Sequence, residues 1–217
     1  MKVYSEIEQG TTEWHNIRWG KIGGTTSKEL HTKTDTLLNK LVAAKLEGYD
    51  PTDDSFTNKN MERGNMLEPF ARKYLEEYLG VKFEQVGWIE HDICKILGMS
   101  PDGITADHRI MCEIKCPTLA KHVSYIRANV VPPEHVDQVV APFSIHPDLK
   151  YNYFCSYRPE CKIPVFIKRV ELGTLVNIGT EKRPVLETVQ SYANMKLIEA
   201  MKIEEEVNVE LERILEI

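Results

Sequence analysis

Apolar and polar positions along this chain follow two periods, one helical and one extended. Residues 36–47, Thr-Leu-Leu-Asn-Lys-Leu-Val-Ala-Ala-Lys-Leu-Glu, repeat apolar side chains at helical spacing and stop at Gly48. Met66 to Leu79 carries the same spacing and ends at Gly80, a residue suited to the left-handed turn after a helix. Glu13 to Arg18 predicts a short first helix, broken by Gly20, Gly23 and Gly24, and Thr25-Thr26-Ser27 offers caps for a second segment. Asp50 to Asn60 is polar, with Pro51, Asp53, Asp54 and Asn58, and reads as an exposed loop. The centre of the chain then turns β-prone, with strands expected at 81–90, 93–99 and 110–116, and again at 151–157 and 164–170. Helices are expected over 118–129 and 134–145, and a long closing helix from near Pro184. Helices, a run of strands, one or two helices, two strands and a last helix specify an α/β fold with a mixed central sheet flanked by helices.

At 217 residues the chain suits a single domain, 1–217, with a substantial core. Hydrophobic residues at 42% and charged residues at 28% are ordinary for a globular protein. No apolar run approaches the roughly 20 residues that span a bilayer, and Met1-Lys2-Val3-Tyr4-Ser5-Glu6 lacks the apolar core of a signal peptide. A cytoplasmic protein with no membrane partner is the expectation. The cysteines at 94, 112, 116, 155 and 161 are odd in number and lack the C-x2-C pairs of zinc sites. Buried, reduced thiols are the simplest account of Cys112, Cys116, Cys155 and Cys161, with an iron–sulfur cluster the less favoured one. A net charge of −6 at first argues against nucleic acid. Much of it, however, sits in Glu199, Glu204, Glu205, Glu206, Glu210, Glu212 and Glu216, within an acidic helical segment of about 184–217. The rest is close to neutral, and a basic groove elsewhere remains compatible with DNA.

The most informative stretch lies between Ser100 and Lys115. Ser100-Pro101-Asp102-Gly103 favours a tight turn, and Ile110 to Cys116 is apolar enough for a buried strand. Side chains alternate along a strand, so Glu113 and Lys115 share one face and Cys112, Ile114 and Cys116 the other. If the preceding hairpin carries Asp102 beside them, two carboxylates and an ammonium converge. Such oxygens suit Mg²⁺ or Mn²⁺, and the lysine would position or help deprotonate an attacking water. The plain alternative is a common Asp-Gly turn followed by a surface charge pair. Against it stands the cost of charges on a strand this apolar unless they are paired or metal-bound.

Three further clusters allow two readings each. Arg18 to Ser27, glycines and hydroxyls beside Arg and Lys, makes either a phosphate cradle or a capped turn. Glu68, following Arg63-Gly64, is a site residue or a first-turn glutamate that compensates the helix dipole. Glu134-His135-Val136-Asp137-Gln138 faces the site or solvent.

Taken in order, these motifs resemble the λ-exonuclease-like (YqaJ) viral recombinase family of the PD-(D/E)xK nuclease superfamily, over residues 9 to about 155. Gln9-Gly10, Trp14-His15, Arg18, Gly20 and Ile22 resemble its N-terminal motif, and Gly64-x3-Glu68 its helix glutamate. Ser100 to Gly103 and Glu113-Ile114-Lys115-Cys116-Pro117 are similar to its core, and Gln138 stands where the family has a glutamine. Val140 replaces a second glutamine, Thr25 a usual serine, and the C-terminal third shows no matching motif.

The resemblance implies a restriction-endonuclease-like core and an ATP-independent, Mg²⁺-dependent 5′-to-3′ exonuclease. Such an enzyme digests one strand of linear duplex DNA to mononucleotides, leaving a 3′ overhang for recombination by annealing. It implies Asp102, Glu113 and the Ile114 carbonyl as ligands of one or, more in keeping with the family, two Mg²⁺ ions, with Mn²⁺ as a substitute. Glu68 would be an outer ligand or help hold the site, and Lys115 would orient the water with Gln138 assisting. Arg18, Thr25 and Ser100 would hold the 5′-phosphate of a DNA end. A ring-shaped homotrimer and a single-strand annealing partner are implied as well. A sequence-specific endonuclease on the same fold, or an inactive DNA-end-binding module, are the alternatives. The residues themselves add one expectation with two readings, that Met61, beside the loop and ahead of Arg63-Gly64, acts as an apolar wedge between strands or, equally, packs against the helix that bears Glu68.

Overall fold

The apolar run expected to form a buried strand is the centre of the protein. The computed structural model describes residues 1–32, 34–50 and 59–216, so most of the expected 50–60 loop lies outside the described residues. The elements open with β1 (Lys2–Tyr4), α1 (Thr12–Arg18), a 3-10 turn at Thr26–Lys28, α2 (Glu29–Thr32), α3 (Thr34–Leu46) and α4 (Lys59–Leu79). They continue with β2 (Trp88–Glu90), β3 (Gly98–Met99), β4 (Gly103–Ile104), β5 (Ile110–Lys115) and α5 (Leu119–Ala128). A 3-10 turn at Pro133–His135, α6 (Val136–Ile145), β6 (Tyr151–Tyr157) and β7 (Val165–Val170) follow. The chain closes with β8 (Leu175–Asn177), β9 (Leu186–Thr188) and α7 (Val189–Leu215).

The main sheet runs β4-β5-β6-β7. β5 is antiparallel to β4 and parallel to β6, in the register Glu113↔Phe154 and Ile114↔Cys155. The parallel step needs a crossover, which α5 and α6 supply. A second sheet, β1-β2-β3, and the hairpin β8-β9 complete the strands among the described residues. Alternation on β5 serves two cores. Met111 joins Phe154, Val139, Val140 and the apolar faces of α3 and α7, whereas Cys112 and Ile114 pack with Cys155 against Ala71 and Leu75 of α4. A strand buried on both sides is where a charged pair is least expected unless it has work to do.

Several expected elements shift. α4 begins at Lys59, well before Met66, despite Gly64 and Pro69. Proline and glycine weaken the local signal, and here the burial of Ala71 and Leu75 outweighs it. Of the strand expected at 81–90 only Trp88–Glu90 forms, with a lone bridge between Glu84 and Ile104. The Glu76 carboxylate takes the Phe83 N–H at 2.8 Å, a side-chain bond in place of a ladder. The strand expected at 93–99 shrinks to Gly98–Met99. The closing helix starts at Val189 instead of Pro184, because Leu186–Thr188 is drawn into pairing with Leu175–Asn177 and Thr188 caps the helix, accepting the Ser191 N–H at 3.2 Å. α7 buries Tyr192, Ala193, Lys196, Ala200, Ile203 and Val207 along one stripe and exposes Glu205, Glu206 and Glu212 on the other face. Glu204 is turned to use, its carboxylate accepting the backbone N–H groups of Lys95 and Ile96 at 2.7 and 3.1 Å. Among the described residues no helix is long and apolar enough to cross a membrane.

Candidate active site

β4 is short because its turn must deliver Asp102 to β5. Gly103 pairs with Cys112, and a Cβ on it would come within 2.9 Å of the Cys112 sulfur and the Phe83 Cβ. Only glycine allows that approach. Asp102 Oδ2 then accepts the Ile114 N–H at 2.5 Å, which fixes the carboxylate at the end of the buried strand. Glu113, 6% exposed, points from the same strand, and the Lys115 ammonium donates to its Oε1. The three groups expected to converge do so.

Charge is strongly frustrated here. Burial, and next the neighbouring Glu113, hold the Asp102 carboxyl well above the usual range. Burial works against a charged Lys115, yet Glu113 and Asp102 outweigh it and raise its pKa. Glu68 enters from α4, its pKa raised by burial more than the Arg72 guanidinium lowers it. Arg72, one turn further along the helix, donates to Glu68 and through Nε to the Asp102 carbonyl at 2.6 Å. Gln85 also reaches Glu68, at 3.4 Å. Since α4 begins at Lys59, Glu68 is mid-helix, and the first-turn reading of it does not hold.

Asp102, Lys115 and Glu68 line a cavity of about 490 Å³ whose other walls include Met61, Ile114, Lys121, Tyr125 and His135. Among the described residues no three His, Cys, Asp or Glu side chains close into a metal cluster. The donor set nevertheless fits Mg²⁺. That ion is held through one or two carboxylates while keeping waters and substrate phosphate oxygens, and a carboxyl held high by burial and by a neighbouring carboxylate, as Asp102 is, gains from a nearby cation. Asp102, Glu113 and the Ile114 carbonyl are the residues that would hold it, with Glu68 behind. Burial raises the Cys94 and Cys155 thiols to about 12 and Cys116 to about 11, and Cys112 well above its ordinary value. Protonated thiols are poor ligands, and Cys116, in the cavity wall, offers its carbonyl to Arg63 at 3.1 Å.

The expected phosphate cradle lies in a second cavity of about 850 Å³, lined by Arg18, Thr25, Trp14, Lys21 and Trp88 among others. The Arg18 guanidinium stacks 3.7 Å from the Trp14 ring centroid. Ser100, expected to touch the phosphate, is placed differently. Its hydroxyl accepts the Trp14 indole N–H at 2.9 Å and donates to the Gly87 carbonyl at 2.5 Å, so its proton is spent and it supports the indole beneath Arg18. Within the glycine-rich turn Thr26, not Thr25, accepts the Gly23 N–H at 2.9 Å. Thr25 instead accepts the Gln138 amide at 3.1 Å. Gln138 lies outside the lining of the first cavity, with its Oε1 3.4 Å from His135 Nδ1. The structure thus makes Gln138 the link from the cradle to His135, which does line that cavity, and brings it no direct bond to Lys115. Met61 stands on the first turn of α4 and lines both cavities while 47% exposed.

Arg72, Lys121 and Tyr125 were not singled out from the sequence, and His135 stood only within the 134–138 cluster, whose site-facing reading it fits. Arg72 left a signal, being four residues from Glu68 on one helix. Tyr125, whose hydroxyl donates to Glu134 at 2.9 Å and lies 3.1 Å from His135 Nε2, left none, because only folding brings α5 to the turn at 133–135.

A mixed sheet whose buried strand carries Glu113 and Lys115 beside a turn aspartate defines the restriction-endonuclease-like, PD-(D/E)xK class of nuclease folds. The chain belongs to the YqaJ-like viral recombinase family, whose domain profile matches residues 13–145. The fold is similar to that of an alkaline exonuclease (LHK-Exo) from Laribacter hongkongensis, with a TM-score of 0.75 at 24% identity over 95% of this chain and 97% of that one. The same exonuclease in complex with dAMP superposes with a TM-score of 0.71 at 23% identity, covering 95% and 99% of the two chains. A phage-related exonuclease from Haemophilus somnus 129PT is more distant, at 0.54 and 11% identity over 88% and 96%. No curated protein matches the chain. Family and fold together support a nuclease role.

Proposed function

We propose that the whole chain acts as one nuclease unit, a divalent-metal-dependent exonuclease that enters linear duplex DNA at a 5′ end and digests that strand. The observation that carries this reading is the convergence of the turn carboxylate Asp102 with Glu113 and Lys115 of the buried strand β5, Asp102 and Lys115 lining a cavity. When bound, Mg²⁺ supplies Lewis-acid polarisation of the phosphoryl group and lowers the pKa of water. Asp102 and Glu113 bind, Arg72 and the Ile114 N–H orient, and the Lys115 ammonium holds the attacking water in line while steadying charge that develops on the phosphoryl oxygens. Arg18, backed by Trp14 and Ser100, and the Thr25 hydroxyl hold the 5′-phosphate. A hydroxyl that accepts the Gln138 amide still has its own proton to give to an anion. Linear and closed-circular duplexes incubated with Mg²⁺ or with EDTA test the whole reading. Cleavage of circles, or activity in EDTA, rejects it.

Arg18→Ala is expected to lower the preference for 5′-phosphorylated over 5′-hydroxyl ends by at least about tenfold, the value of a charge-assisted bond worth roughly 1.5–3 kcal/mol. If the wild-type protein digests both ends equally fast, the cradle holds no phosphate. Met61, which lines both cavities, wedges the strands apart in this reading, since the sequence carries no ATP-binding motif to drive the few kcal/mol of unstacking. Met61→Ala should slow blunt duplex and spare a duplex frayed by mismatches at the 5′ end. Equal slowing on both would return Met61 to a packing role. We also propose a closed homotrimer around the product strand, acting with a single-strand annealing protein, because a chain of net charge −6 gains little grip on DNA from its overall field. A monomer in sedimentation velocity combined with processive digestion contradicts it.

A further inference from the structure

A lysine ammonium is buried behind the phosphate cradle. Lys196, on the inner stripe of α7, is 1% exposed. Its ammonium donates to the Ser27 carbonyl at 3.0 Å and to Asp137 Oδ1 at 2.5 Å, and lies 4.6 Å from the Tyr192 ring centroid. The Tyr192 hydroxyl donates to the same Asp137 oxygen at 2.8 Å. Ser27 stands two residues after Thr25, in the 3-10 turn, and Asp137 immediately precedes Gln138 on α6. One ammonium therefore fastens together the backbones that carry the two partners of the 3.1 Å Thr25–Gln138 bond. Ser144, further along α6, adds a tie to α7 by donating to the Ala193 carbonyl at 3.0 Å.

Stability alone does not call for this arrangement. A buried ion pair adds little over apolar side chains of the same shape, because desolvating both charges offsets their attraction. What a pair of this kind supplies is direction: the Lys196 ammonium has two fixed acceptors, the Ser27 carbonyl and Asp137, and a ring beside it, and an apolar pair would let the turn slide. We infer that Lys196 and Asp137 are positioning residues for the DNA end, setting Thr25 against Gln138 from behind. The inference rests on the proposal that Arg18 and Thr25 hold the 5′-phosphate. It gives a function to α7, which lies beyond the matched family residues and carries no motif of its own.

The test is a double variant, Lys196→Met with Asp137→Leu, which removes both charges together and so avoids leaving one buried alone. Rates on 5′-phosphorylated and 5′-hydroxyl linear duplexes are measured beside thermal unfolding. The expected result is a folded protein with a thermal midpoint near wild type and a little-changed rate on hydroxyl ends. The phosphate-to-hydroxyl ratio should fall at least about fivefold, as for loss of one ordinary oriented hydrogen bond. A ratio equal to wild type, or both rates falling in proportion, overturns the inference and leaves the pair a packing element, with the cradle itself intact. A wild-type ratio of one removes the cradle and the inference with it. Should the double variant fail to fold, Asp137→Asn keeps the shape and reads out the same ratio, with the same two outcomes.

Discussion

Asp102→Asn is expected to abolish DNA cleavage while leaving the metal-free protein at least as stable as wild type. The amide keeps an oxygen for the Ile114 N–H, now bonded at 2.5 Å, so the end of β5 stays in place. It removes a charge that burial and Glu113 already hold far from its preferred state. Relief of that repulsion offsets the small loss of a charge-assisted bond. The chemistry fares otherwise. Without the carboxylate one of two anchors for the cation is gone, and Lewis-acid catalysis worth several kcal/mol goes with it, a loss of about three orders of magnitude or more in rate. Thermal unfolding with and without Mg²⁺ separates the two effects. Mg²⁺ should raise the wild-type midpoint, since a ligand of the native state stabilises it by mass action, and should fail to raise that of the variant. Robust cleavage by Asp102→Asn in Mg²⁺ would remove Asp102 from the site.

Lys115→Met should be equally inactive and shift metal-free stability the opposite way. The Lys115 ammonium is the partner of Glu113, whose side chain is 8% exposed. Taking it away leaves a buried carboxylate beside Asp102 with no counter-charge, a loss of about 2 kcal/mol after allowing for the partial exposure of the lysine. A divalent cation can neutralise both carboxylates, so Mg²⁺ should restore most of that stability. Cleavage should stay two to four orders of magnitude down, as for other removals of a proton-transferring or water-orienting group, about 10²–10⁴-fold. The signature is a variant that binds Mg²⁺ and DNA but does not cut. If Lys115→Met is as stable as wild type without metal, the pair with Glu113 is not what holds the site together. If it cuts at the wild-type rate, the water is oriented by another group.

The site was legible in the sequence wherever its residues are close neighbours in the chain. Period-two alternation puts Glu113 and Lys115 on one face of a strand and makes that strand apolar, so both the convergence and its oddness follow from Ile110 to Cys116 alone. Gly103 was legible as a turn residue, though the reason only glycine fits, the approach to Cys112 and Phe83, belongs to the fold. Boundaries were less legible. Nothing local announces that Lys59 to Asn65 continues the helix through Gly64 and Pro69, because the stabilisation comes from burying Ala71 and Leu75 on the back of β5. The expected helix start at Pro184 failed for a similar reason, since Leu186–Thr188 prefers a partner strand whose existence the local pattern does not reveal.

By itself, then, the sequence determined the α/β class, the central strand, and the sharing of one strand face by Glu113 and Lys115, because these depend on periodicities of two and 3.6 and on the cost of burying charge. The tertiary structure alone decided which distant groups complete the site. Arg72 reaches the Asp102 backbone, the Ser100 hydroxyl bonds Trp14 and Gly87, and Gln138 bonds Thr25 across 113 residues of chain. Lys196 closes the cradle from behind, over a separation of 169 residues to Ser27. Hydrogen bonds of such long range carry no period and no spacing. They exist only after burial of the two cores has fixed where the helices lie, and the same burial makes each of them matter, by removing the water that would otherwise take their place.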